Sequence, residues 1–149
     1  MCGIAGIVKR GASTSYLDKT IKHMSDLISH RGPDGYGYFF ADSMAFGHRR
    51  LAIVDLSSDG DQPMHYMDRY VITYNGEIYN HLVLRKKLKS LSSNIVWRGK
   101  SDTETLLNSF DVWGIEKTLE MCSGMFSMAV WDLFSKELIL IRDRFGEKP

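Results

Sequence analysis

Apolar positions along the chain change period several times, and each change marks an element. Cys2–Val8 is a short β-prone run broken by Gly3 and Gly6. Leu17, Ile21, Met24, Leu27 and Ile28 then recur at helical spacing, which predicts an amphipathic helix over Tyr16–Ser29. The stretch His30–Gly37 cannot continue it, because Pro33 and three glycines interrupt the pattern. Short strands are predicted at Tyr38–Ala41, Met44–His48 and Leu51–Val54, with the aromatic residues around Tyr36–Phe40 read as core. After a polar loop from Ser57 to Gln62, Tyr70–Tyr74 reads as a further strand. Ile78, Leu82, Leu88 and Leu91 predict a helix behind Asn75-Gly76.

Ser101 and Glu104 form an S-x-x-E capping box that opens another helix, with Gly114 placed to close it. A shorter helix is predicted over Glu116–Met121, and Phe126–Asp132 with Glu137–Arg142 read as an antiparallel hairpin. Strands gather at both ends and helices are grouped rather than alternating. That arrangement favours an α+β fold over a doubly wound sheet. Residues 1–149 read as a single domain without repeat or linker. The last residues, from Arg142 to Pro149, form a charged loop with no finishing element, so the domain reads as cut short at its C-terminal end.

Composition narrows the function classes. Charged residues make up 25% and hydrophobic residues 44%, the balance of an ordinary globular protein. A net charge of +1 gives no basic face, so neither nucleic acid nor an anionic membrane is an expected partner. No apolar run approaches the ~20 residues of a membrane span, and no secretory leader pattern opens the chain. Two cysteines, Cys2 and Cys122, make no disulfide framework, and a reducing cytoplasm is the expected compartment. The five histidines lack ligand spacing, no metal site is expected, and neither a P-loop nor a G-x-G-x-x-G turn occurs.

Four places in the sequence can carry chemistry. Removal of Met1 would leave Cys2 with a free α-amine, able to take the proton of its own thiol. Read blandly, Cys2 is a small packed thiol on a strand. In Tyr74-Asn75-Gly76-Glu77, the Asn-Gly pair is a hairpin signal. Yet the following residues read as helix, and the Asn75 amide with the Gly76 N–H would make a two-donor oxyanion hole. Asp102 suits a helix N-terminus for electrostatic reasons alone, or serves with Glu77 as an anion for an ammonium. Arg49 and Arg50 read either as a solvated strand edge or as the source of a bidentate grip on a carboxylate.

Taken in order, Cys2-Gly-Ile-Ala-Gly-Ile, Arg31-Gly-Pro-Asp-Gly, His48-Arg-Arg-Leu-Ala-Ile-Val-Asp-Leu, Gln62-Pro-Met, Tyr74-Asn-Gly-Glu-Ile-Tyr-Asn and Ser101-Asp-Thr-Glu resemble glutamine-dependent asparagine synthetases. Ser123-Gly-Met-Phe-Ser-Met-Ala-Val-Trp-Asp and Arg142-Asp-Arg-Phe-Gly continue the match across the whole chain. The resemblance implies an N-terminal-nucleophile hydrolase fold, a four-layer α/β/β/α sandwich of antiparallel sheets. It implies a class II glutamine amidotransferase in which Cys2 is nucleophile and, through its amine, base, with Asn75 and Gly76 as oxyanion donors. Arg50 would hold the carboxylate of L-glutamine together with Leu51, Ile53 and Val54, while Glu77 and Asp102 take the ammonium.

The same resemblance implies a partner. Family members add a synthetase domain that uses ATP and Mg²⁺ to amidate aspartate, and nothing of it lies in these residues. No cofactor is therefore expected in this chain. An unpaired sheet edge would promote association, and a homodimer is allowed. Two other readings remain open at this stage: an amidotransferase acting on a sugar or another carboxylate, and a non-catalytic glutamine-binding module.

Overall fold

The computed structural model describes residues 1–91 and 95–149. Its elements, in order, are β1 (Gly3–Val8), α1 (Thr14–Leu27), β2 (Gly35–Ala41), β3 (Met44–Arg50), β4 (Met64–Tyr66), β5 (Tyr70–Ile78), α2 (His81–Leu91), α3 (Asp102–Trp113), α4 (Ile115–Met121), β6 (Gly124–Asp132) and β7 (Glu137–Arg142). Strands β1-β3-β2 form one sheet and β4-β5-β6-β7 a second, and every pairing is antiparallel.

Alternation along each strand decides what lies on either side. Helix α1 lays Leu17 and Ile21 on Ala45 of the first sheet, flanked by Ala5, Ile7, Tyr38 and Phe40. On the opposite face Met44 and Phe46 meet Ala129 of the second sheet, with Phe39, Ala41, Trp131 and Leu138 around them. The largest core lies beyond the second sheet. There Ile72, Tyr74, Ile78, Phe126, Met128 and Val130 pack against Leu84 of α2, Leu106, Leu107 and Phe110 of α3, and Cys122. The layers therefore run α/β/β/α, as expected from the resemblance.

Several boundaries differ from the sequence reading. Leu51–Val54 is not a strand. The N–H of Leu51 points to the Cys2 thiol and that of Ala52 to the Asp34 carboxylate, so side chains take the donors a ladder would need. Glu77–Leu82 is not the start of a helix either. Strand β5 runs on to Ile78, with Gly76 opposite Phe126 and Ile78 opposite Gly124. Asn75-Gly76 thus lies inside a strand, which rules out the hairpin turn.

Helix α2 begins only at His81 and buries Leu84 and Leu88, while Leu82 and Leu91 face outward. The capping box is half made. Ser101 Oγ accepts the Glu104 N–H at 3.2 Å, but the Glu104 carboxylate turns to the N–H groups of Arg98 and Gly99. Tyr36 stands exposed beneath the Arg49 guanidinium rather than in the core.

Candidate active site

Three of the four layers send residues to one pocket of about 100 Å³. The first sheet contributes Cys2, at the entrance to β1, and Arg50, the last residue of β3. The second sheet contributes Tyr74, Asn75, Gly76 and Glu77 from β5, and Asp102 begins α3. The loop after β3 closes one wall with Leu51, Ile53 and Val54. All nine site residues expected from the sequence are therefore brought together. Gln62, Asp55, Gly60, Thr103 and Met125 line the same pocket and were not anticipated as site residues.

Cys2 is half-buried, and its Sγ lies between the Leu51 N–H at 3.4 Å and the Leu51 carbonyl at 3.6 Å. One backbone unit thus fixes the thiol at the pocket wall. The other cysteine is chemically different. Burial pushes the Cys122 thiol up to about 11, and it packs in the largest core.

Strand parity separates the two adjacent arginines. Arg49 turns out toward α1, where it meets Asp26 and donates to the Ser25 carbonyl. Arg50 turns in and is 8% exposed. Its Nη1 donates to the Ser57 carbonyl at 2.8 Å and to Asp61 at 2.7 Å, and its Nη2 donates to the Asp55 carbonyl. A guanidinium has five N–H donors. Among the described residues, Nε–H and one Nη2–H of Arg50 keep no protein acceptor. Gly60 makes this posture possible, because a Cβ there would stand 2.4 Å from Arg50 Nη2.

Asp55 ties down the loop that embraces Arg50. It accepts the Lys100 N–H at 2.7 Å and the Ser57 hydroxyl at 2.6 Å, and these bonds hold its carboxyl down to about 2. Gln62 links the far end of the same loop to both walls. Its Oε1 accepts the Tyr74 N–H at 2.7 Å, and its Nε2 reaches Thr103 Oγ1 at 3.3 Å.

Asp102 is 6% exposed and already satisfied by the fold. Its Oδ2 accepts the Tyr74 hydroxyl at 2.7 Å and the Ile78 N–H at 3.0 Å, and its Oδ1 accepts the Thr103 N–H at 2.9 Å. Burial, reinforced by this carboxylate, pushes the Tyr74 phenol well above its ordinary value, so Tyr74 stays a donor. Glu77, by contrast, is exposed at the rim. Asn75 is buried, and its Oδ1 has no hydrogen-bond partner among the described residues. Gly76 lies so close to β6 that a Cβ would meet the Met125 carbonyl at 2.4 Å and Phe126 Cα at 2.7 Å.

Behind the pocket, His48 lies between the sheets with Nδ1 3.2 Å from Thr73 Oγ1. Burial lowers its imidazole to about 3, and the Arg50 cation adds to the effect. His48 is thus a neutral strut. Among the described residues, no cluster of three His, Cys, Asp or Glu side chains could hold a metal ion. No helix among them is long and apolar enough to cross a membrane.

Residues 1–149 match the family model of the glutamine amidotransferase domain. The whole chain is 39% identical to glutamine-hydrolysing asparagine synthetase 1 of Bacillus subtilis, of which it covers 23%. It is 36% identical to a putative asparagine synthetase of Methanocaldococcus jannaschii, covering 31%. The chain spans about a quarter of the length of such relatives. Among solved structures, glutamine phosphoribosylpyrophosphate amidotransferase from B. subtilis matches 99% of this chain and 38% of its own, with a TM-score of 0.74 and 20% identity. An allosteric regulatory enzyme of purine biosynthesis matches 98% of this chain and 38% of its own, with a TM-score of 0.77 and 20% identity. The structural likeness concerns the fold alone, two antiparallel sheets between helical layers.

Proposed function

Because the chain belongs to the glutamine amidotransferase domain family, we propose that it hydrolyses L-glutamine to glutamate and ammonia through a thioester on Cys2. The observation that carries this reading is the convergence of Cys2, Arg50, Asn75, Gly76, Glu77 and Asp102 on one small pocket. A free amino acid with a side-chain amide needs that set: a cation for its carboxylate, anions for its ammonium, and a nucleophile with amide-polarising donors at the other end.

In the proposed sequence Met1 is first removed, which frees the Cys2 α-amine. The two unused N–H groups of Arg50 receive the substrate carboxylate, with Leu51, Ile53 and Val54 forming the adjoining wall. Glu77 and Asp102 face the ammonium. The α-amine takes the thiol proton as Sγ attacks the amide carbon, and the Asn75 amide and Gly76 N–H receive the developing oxyanion. Collapse breaks the C–N bond, the amine returns the proton, and ammonia leaves. Water then cleaves the thioester by the same route, releasing glutamate and restoring the thiol.

Ammonia made here would pass to a synthetase domain, as the names of the relatives suggest, with aspartate as the acceptor and ATP and Mg²⁺ used there rather than at Cys2. A cytoplasmic location fits a thiol nucleophile that must stay reduced.

The test is ammonia release from L-glutamine by protein whose mass shows that Met1 is gone, together with labelling of Cys2 by a glutamine-like electrophile. Cys2→Ala should abolish both. Processed protein that binds glutamine yet neither releases ammonia nor is labelled would refute the reading.

A further inference from the structure

Strand β5 is paired unequally on its two sides. Toward β6 the ladder runs its full length, from Tyr70 opposite Asp132 to Ile78 opposite Gly124. Toward β4 it stops early, at Ile72 opposite Met64. In an antiparallel strand successive N–H groups point to one neighbour and then the other. On the β4 side, beyond Ile72, the Tyr74 N–H donates to Gln62 Oε1 at 2.7 Å and the Ile78 N–H donates to Asp102 Oδ2 at 3.0 Å. Parity places the Gly76 N–H on that same side, between the two. Among the described residues nothing there accepts it, and Gly76 lines the Cys2 pocket.

The register shows what leaves this donor open. With Met64 opposite Ile72, a longer β4 would set Gln62 opposite Tyr74 and Gly60 opposite Gly76. Its backbone would then cover the Gly76 N–H. The chain instead turns away at Gln62 and lies against β2, so closely that a Cβ on Gly37 would stand 2.2 Å from the Gln62 carbonyl oxygen. Only the buried side chain of Gln62 stays beside β5. Its amide stands in for one peptide unit of a strand: Oε1 accepts the Tyr74 N–H, and Nε2 donates to Thr103 Oγ1 at 3.3 Å, in the first turn of α3. The ladder thus ends on a side chain, one step short of Gly76.

We propose that Gln62 is a positioning residue for the oxyanion donor: its side-chain amide ends the β4–β5 ladder and holds the Gly76 N–H free and turned into the Cys2 pocket. The proposal rests on the reading of Gly76 as an oxyanion donor, and it names the residue that keeps that donor available. Thioester formation and thioester hydrolysis both place negative charge on the same oxygen, so a misplaced donor lowers kcat whichever step limits. A residue that only anchored the loop around Arg50 would act on KM instead.

The experiment uses protein freed of Met1 and checked by mass. Gln62→Met keeps the length of the side chain but offers Tyr74 no acceptor. It should lower kcat for glutamine hydrolysis about tenfold, with KM within about twofold of wild type. Gln62→Glu still presents an oxygen to the Tyr74 N–H and should recover most of the lost kcat. In isotope-labelled protein, the backbone amide resonances of Tyr74 and Gly76 should move in the methionine variant and return in the glutamate variant. If Gln62→Met fails to fold, as judged by its circular dichroism melt, Thr103→Val removes the Nε2 partner and should shift kcat and both resonances in the same direction. An unchanged kcat, a raised KM with kcat kept, or a glutamate variant as impaired as the methionine one overturns the proposal. So does a Gly76 resonance that stays in place. A wild type that releases no ammonia would count against the proposed function, while the Gly76 resonance would still judge Gln62.

Discussion

Lowering the pH should weaken this fold through His48 before the carboxylates of Asp55 and Asp143 are protonated. The imidazole is buried between the sheets and lowered from 6.5 to about 3. The folded state therefore resists the proton that the unfolded chain accepts. That contribution to stability is intact above pH 6.5 and is lost as the pH falls through 6.5 toward 3. Each tenfold difference in proton affinity between the two states is worth about 1.4 kcal/mol, so the full loss is about 5 kcal/mol, and about 3 kcal/mol is already gone near pH 4.5. Asp55 and Asp143 are held at about 2, so their contributions fade only below 3.8, under the pH of about 4.5 at which most of the His48 loss has already occurred.

Urea unfolding between pH ~7.5 and ~4.5 would compare the wild type with His48→Gln, which cannot titrate. The gap between their free energies should change by up to about 1.4 kcal/mol per pH unit below 6.5, one proton's worth. A gap that stays constant across the range would refute the reasoning. So would a ring titration by NMR that places His48 near 6.5 in the folded protein.

Other expectations concern the pocket and its frame. Gly60→Ala puts a Cβ 2.4 Å from Arg50 Nη2 and should raise KM for glutamine about tenfold, a cost of about 1.4 kcal/mol, with kcat nearly kept. Arg50→Lys keeps the charge but loses the fork, so KM should rise at least as much in the same steady-state assay. Gly76→Ala forces β5 away from β6 and should cost about 1–3 kcal/mol in urea unfolding, with activity lost in whatever remains folded. Phe110→Ala, emptying the helix-side core, should cost about 3–5 kcal/mol while leaving every pocket residue in place.

How much of this was legible beforehand depended on what held each segment. Helix α3 was announced by Ser101 and Gly114, whose capping chemistry is local, and the β6–β7 hairpin by alternation alone. Leu51–Val54 has the composition of a strand but lacks partners, because Cys2 and Asp34 take its donors from distant parts of the chain. Asn75-Gly76 carried a turn signal that β6 overrides, since the glycine is needed for close approach rather than for its freedom of turning. The Leu82 and Leu91 spacing suggested the wrong face of α2, which only the position of α3 decides. Motifs brought the site residues to light through the family resemblance. The support around them, Gln62, Asp55 and Gly60, acts through side chain-to-backbone bonds that leave no periodic trace.

The pocket draws on strands and a helix that leave the ribosome at very different times. Cys2 is among the first residues made, whereas Asn75, Glu77 and Asp102 follow much later. Until both sheets have stacked and α3 has docked, the thiol stands apart from the charged residues that line its pocket. If Cys2 acts as proposed, reactivity is a late product of folding, and a half-made or misfolded chain would carry a thiol that spares the cell's glutamine.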